Sequence, residues 1–126
     1  MDANSRTYLE APLTRKVIGA FYETYNQMGY GFLESVYENA LALQMATNGI
    51  GYERQAPLEV RFKGQLVGIF RADFLVENKL IVEIKAVEQL LPAHDAQLLN
   101  YLKATGTPLG LLLNFGPKAQ VRRRIY

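Results

Sequence analysis

Val67-Gly-Ile-Phe-Arg-Ala-Asp-Phe-Leu-Val76, then Glu77-Asn-Lys79, then Leu80-Ile-Val-Glu-Ile-Lys-Ala-Val87 is the stretch whose reading decides the fold. Its two outer segments are rich in β-branched and aromatic residues, and the three between them carry turn chemistry, so the stretch reads as a β-hairpin. With Val76 and Leu80 flanking the loop, the antiparallel register sets Asp73 opposite Glu83, their Cβ atoms roughly 5 Å apart on one face. Alternation gives Glu83 and Lys85 a shared face and sends Val82, Ile84 and Ala86 to the other, together with Phe70, Ala72 and Phe74. Facing carboxylates at the half-buried centre of a sheet repel each other unless a cation lies between them, and hard oxygen donors suit Mg²⁺ or Mn²⁺. Glu-x-Lys standing alone is equally the solvated side of an amphipathic hairpin, so its meaning depends on the rest of the chain.

The chain has 126 residues, 49% of them hydrophobic, which is the size of one domain with its own core. Cysteine is absent, which excludes disulfides and thiolate metal sites and agrees with a reducing compartment. The N-terminal Met-Asp-Ala-Asn-Ser-Arg-Thr lacks an apolar secretory core, and no apolar run reaches the roughly 20 residues that span a bilayer. A soluble, cytoplasmic protein is therefore expected. A net charge of +2 does not by itself argue for nucleic-acid binding, although Arg15-Lys16 and Arg122-Arg123-Arg124 are local basic clusters.

Upstream, Thr14 is placed to cap a helix whose apolar positions Val17, Ile18, Phe21, Tyr25 and Met28 follow helical spacing, ending at Gly29-Tyr30-Gly31. Residues 1–13 are expected to be loosely ordered. A second helix runs from about Leu33 to Thr47, burying Val36, Tyr37, Ala40, Leu41 and Met45, with Asn48-Gly49 as its stop. A strand over Tyr52–Phe62 and a turn at Lys63-Gly64-Gln65 lead into the hairpin, completing a three-stranded meander. Pro92 opens a third helix, Leu98, Leu99 and Leu102 form its stripe, and Gly106 ends it. Pro108–Phe115 contains Leu109-Gly-Leu-Leu-Leu113, a run suited to a strand buried on both faces, and Val121–Tyr126 reads as a last short strand. A meander followed by a helical crossover implies an α/β domain with a mixed sheet and helices on both sides.

Two further groups carry chemistry. In Gly31-Phe-Leu-Glu34-Ser-Val-Tyr37, Glu34 and Tyr37 share a helix face with Leu41; a first-turn glutamate also complements the helix dipole. On the third helix His94, Gln97 and Tyr101 share a face, a polar stripe compatible with solvent or with a site.

Gly31-x-x-Glu34-x-x-Tyr37, Asp73, Glu83-x-Lys85 and Gln97-x-x-x-Tyr101, in this order and on these elements, resemble the PD-(D/E)XK nuclease superfamily, in particular its RecB-like branch and the small single-domain proteins named for a GxxExxY motif. The resemblance covers about Thr14 to Tyr126; Ala72 stands where the superfamily's name has proline. It implies a three-layer, restriction-endonuclease-like fold and a Mg²⁺- or Mn²⁺-dependent nuclease acting on DNA rather than RNA. By the same resemblance Glu34, Asp73, Glu83 and the Ile84 backbone carbonyl hold the metal, and Lys85 positions or polarises the attacking water or offsets developing charge. Gln97 and Tyr101 orient the phosphate or the ligands, with His94 and Tyr37 as accessory members. Cutting both strands would suit a homodimer. The alternative is a catalytically silent nucleic-acid-binding or oligomerisation module on the same fold.

Overall fold

The computed structural model describes the backbone of residues 3–126 and the side chains of residues 12–126. In chain order the elements are α1 (Ala3–Met28), α2 (Glu34–Thr47), β1 (Tyr52–Phe62), β2 (Gln65–Val76), β3 (Leu80–Lys85), α3 (Pro92–Thr105), β4 (Leu109–Phe115) and β5 (Ala119–Ile125). The strands form one sheet in the order β1-β2-β3-β4-β5, antiparallel throughout except for the parallel β3–β4 pair that the α3 crossover joins. This is the expected restriction-endonuclease-like architecture, a mixed sheet between two helical layers.

Two cores divide the layers. On one face α1 and α2 pack Val17, Phe21, Tyr37, Leu41 and Met45 against Phe74, Val82, Ile84, Leu111 and Leu113. On the other, α3 packs Leu98 and Leu102 against Phe70, Ala72, Ile81 and Leu112. Every residue of β4 is buried, as an apolar run covered on both faces requires. Pro92 sits in the first turn of α3, where a missing N–H costs nothing, and Gly106 caps its end in the left-handed region at φ 68°.

Several local expectations are corrected. Thr14 is a buried position inside α1 and not its cap, the helix running from Ala3; of residues 1–13, expected to be loosely ordered, residues 1 and 2 and the side chains up to residue 11 lie outside the described residues. In α2 Ala42 takes a fully buried place while Val36 and Ala40 are only half-buried, because the helix turns a narrower face to the sheet. The fifth strand starts at Ala119, two residues before the apolar pattern begins. Most important, Phe70 and Ala72 do not share a face with Phe74. Phe70 and Ala72 belong to the α3 core, whereas Phe74 and Val76 belong to the α1–α2 core. Strict alternation cannot produce this.

The switch falls at one pair. The β1–β2 register runs unbroken from Tyr52↔Val76 to Val60↔Gly68, except that Gln55 and Asp73, which would face each other, do not pair. Gln55 sits in the left-handed region at φ 49°, which turns the strand about its axis and breaks the two-residue period. β1 obeys the same switch: Tyr52 packs toward α2, while Leu58 and Val60 pack toward α3.

Candidate active site

The expected hairpin register is observed, with Phe74↔Val82, Leu75↔Ile81 and Val76↔Leu80 around a loop whose Glu77 and Asn78 take positive φ of 52° and 57°. The ladder stops at Phe74↔Val82, and the next position belongs to Asp73 and Glu83. There side chains replace the backbone: the Asp73 N–H donates to Glu83 Oε2 at 2.8 Å, and the Ile84 N–H donates to Asp73 Oδ2 at 2.8 Å. Two acids thus stitch the strands together at the point where the sheet opens, each satisfying an amide that the ladder leaves free.

Glu34 stands in the first turn of α2, and its place is fixed by Tyr37. The Tyr37 ring is fully buried and stacked on Phe115, with centroids 4.4 Å apart. Its hydroxyl donates to the Gly29 carbonyl and accepts the Phe32 N–H at 3.2 Å. Gly29 and Gly31, at φ 70° and 119°, give the loop a path that side chains with a Cβ rarely follow. The Gly31-x-x-Glu34-x-x-Tyr37 pattern is therefore a clamp: the tyrosine holds the glycine loop, and the loop delivers the glutamate to the edge of the opened sheet.

The charges interact as one cluster. Burial, then the charge of Asp73, pushes the Glu83 carboxyl up to about 8. Burial also raises Asp73, opposed by the Ile84 amide and reinforced by the Glu38 charge. Glu34 rises through partial burial and through Asp73, although one side of it stays open to solvent. The Lys85 charge pulls all three acids back toward ionisation, yet among the described residues its ammonium forms no direct ion pair with them. The cluster is short of positive charge.

Two members were absent from the sequence reading. Glu38 lies one turn beyond Glu34 on α2, a spacing the sequence displays; it accepts from Gln55 Nε2 at 3.0 Å and pairs with Arg54 at 2.6 Å. Gln55 Nε2 also donates to Asp73 Oδ1 at 3.3 Å. A glutamine with left-handed backbone has no sequence signature, so Gln55 was not foreseeable.

The third helix contributes less directly. His94 is the third residue of α3 and its Nδ1 accepts the Leu91 N–H at 2.9 Å, closing the helix start. Tyr101 stacks on Phe70 with centroids 3.6 Å apart, and Gln97 is exposed. Among the described residues none of the three hydrogen-bonds to the acids. Asn114, fully buried on β4, holds the segment after Lys85 by accepting the Val87 N–H and donating to the Val87 carbonyl, both at 3.0 Å.

The sequence profile of the PD-(D/E)XK nuclease superfamily matches residues 11–125. The chain belongs to this superfamily. Membership supports a nuclease-type function, and two of the acids, Asp73 and Glu83, lie at the opened end of the β2–β3 hairpin. Among solved structures the chain is similar to the crystal structure of SSO0001, at 20% identity and a TM-score of 0.60. That likeness covers 96% of this chain and 62% of the other, and it shows the PD-(D/E)XK chain's fold alone. No curated protein matches it in sequence. Among the described residues no helix is long and apolar enough to cross a membrane.

PD-(D/E)XK nucleases generally use divalent metal ions, and the donors here are of the right chemical kind: hard carboxylate oxygens whose mutual repulsion and burial favour a nearby positive charge. In the arrangement described, no group of three or more acidic or histidine side chains converges to metal-binding distance among the described residues.

Proposed function

We propose that this domain hydrolyses phosphodiester bonds of DNA in a divalent-metal-dependent reaction, on the RecB-like plan of the GxxExxY proteins. The observation that carries the reading is the reciprocal Asp73–Glu83 stitch at the open end of the β2–β3 ladder, with Glu34 and Lys85 in electrostatic reach. Glu34, Asp73, Glu83 and the Ile84 carbonyl would hold Mg²⁺ or Mn²⁺, which when bound supplies Lewis-acid stabilisation and a more acidic water.

The chain's own residues perform the rest. Before a cation is bound, strand amides hold Asp73 and Glu83 in place and so fix the position from which the two acids meet it. Lys85, on the same face as Glu83 and without a direct ion pair among the described residues, donates hydrogen bonds to the attacking water or to a non-bridging phosphate oxygen. Water adds to phosphorus and sheds a proton to solvent, the bridging P–O bond breaks, the departing oxygen takes up a proton from solvent, and the ammonium offsets the negative charge that accumulates on the phosphoryl oxygens. Gln97, exposed on α3, is available to the phosphate; Tyr101 acts through its Phe70 stack, and His94 through the start of α3.

The test is incubation with plasmid, linear and single-stranded DNA and with RNA, in Mg²⁺, Mn²⁺ or EDTA, beside Asp73→Asn. Metal-dependent cleavage of DNA lost in the variant is expected. One observation favours the alternative of a silent nucleic-acid-binding module: both central acids already satisfy backbone amides and so have a structural role. Binding of DNA without turnover under every condition would decide for it.

A further inference from the structure

We infer that Gln55 is a positioning residue for the proposed reaction, setting Asp73 through both its backbone and its carboxamide. The inference rests on the reading of Asp73 as a metal-holding acid and extends it to a strand that the superfamily motifs do not include.

Three observations converge on it. Gln55 holds a left-handed φ of 49° within a strand, a conformation that a glutamine adopts at a cost of about 1 kcal/mol or more unless the surroundings demand it. The switch of the β1–β2 hairpin from one core to the other falls at the Gln55–Asp73 pair, so the same backbone turn that strains Gln55 sets the direction of Asp73. Its Nε2 reaches Glu38 Oε1 at 3.0 Å and Asp73 Oδ1 at 3.3 Å, bridging an acid of α2 to the acid of β2. Of the Asp73 carboxylate, Oδ2 is fixed by the Ile84 amide and Oδ1 by this glutamine. Without the carboxamide the outer oxygen loses its partner, and Glu38, still held by Arg54, faces Asp73 with nothing between them.

The backbone and side-chain contributions separate by substitution. Gln55→Gly keeps the left-handed turn without strain and removes the amide; Gln55→Asn tolerates the turn but is one methylene too short for the bridge. Both should fold with a melting temperature near the parent's, relief of the backbone strain offsetting the two lost hydrogen bonds. Both should weaken Mn²⁺ affinity, measured by calorimetry on the full chain, by about 10- to 100-fold, the scale on which partners of metal ligands act. DNA cleavage should fall comparably through kcat, with little change in KM for DNA.

Parent-like Mn²⁺ affinity and parent-like cleavage in Gln55→Gly would overturn the proposal while leaving the nuclease reading intact. A parent that binds Mn²⁺ but cuts nothing, with affinity still lost in Gln55→Gly, would sustain Gln55 and defeat catalysis. A parent that neither binds Mn²⁺ nor cuts would remove both.

Discussion

Replacing Glu83 by glutamine tests the electrostatics of the site directly. Glutamine keeps an oxygen able to accept the Asp73 N–H but cannot ionise. In the folded protein the Glu83 carboxyl titrates at about 8 against 4.5 for the free side chain. Between those values the unfolded chain is ionised at this position while the folded chain retains its proton, so folding takes up a proton and stability falls as pH rises. Each tenfold in proton affinity is worth about 1.4 kcal/mol, which bounds the loss at about 5 kcal/mol once the pH exceeds both values. Water entering the opened hairpin and relaxation of Lys85 will reduce it. In EDTA, urea denaturation should show Glu83→Gln only slightly favoured over the parent at pH 5 and favoured by about 2 to 5 kcal/mol at pH 9. Adding Mn²⁺ should reverse the order, because only the parent gains from the cation. A difference between the two proteins that stays constant from pH 5 to pH 9 would refute the claim that Glu83 is buried beside a second acid.

Tyr37→Phe keeps the ring stacked on Phe115 but frees the Gly29 carbonyl and the Phe32 N–H; a loss of about 1–3 kcal/mol in chemical denaturation is expected, with reduced cleavage as Glu34 loses its support. In Gly116→Ala the new Cβ would lie 2.1 Å from the Val87 carbonyl oxygen, a backbone atom that cannot swing aside, so a loss of about 3 kcal/mol or more should appear as a lowered melting temperature. Lys85→Ala should lower the single-turnover cleavage rate by about 10²-fold or more while Mn²⁺ affinity is kept or improved.

Much of the fold was legible because its signals are local and redundant. The three-residue loop fixed the β2–β3 register, the all-apolar Leu109–Leu113 run identified a strand covered on both faces, and Pro92 with Gly106 bracketed α3. Asp73 opposite Glu83 followed from the register alone. What escaped the reading depends on three-dimensional compensation. The change of face at Asp73 hangs on the backbone of Gln55, whose type gives no hint of positive φ. Tyr37 read as an accessory site residue because its spacing from Glu34 is evident, whereas the loop its hydroxyl clamps is visible only in space. His94 looked equally available, and only the structure shows its ring turned back onto the Leu91 amide.

The amide clasp between β2 and β3 also gives the site a built-in reporter. The Asp73 and Ile84 N–H groups owe their protection to carboxylate oxygens and not to a strand ladder, so their solvent exchange follows the fate of two side chains. A cation that recruits those oxygens competes with the amides for the same lone pairs, and the amides then exchange faster even as the surrounding core becomes more protected. Ligand binding, which ordinarily slows exchange everywhere it is felt, would here quicken it at two named positions and slow it elsewhere, a signature readable without any substrate present.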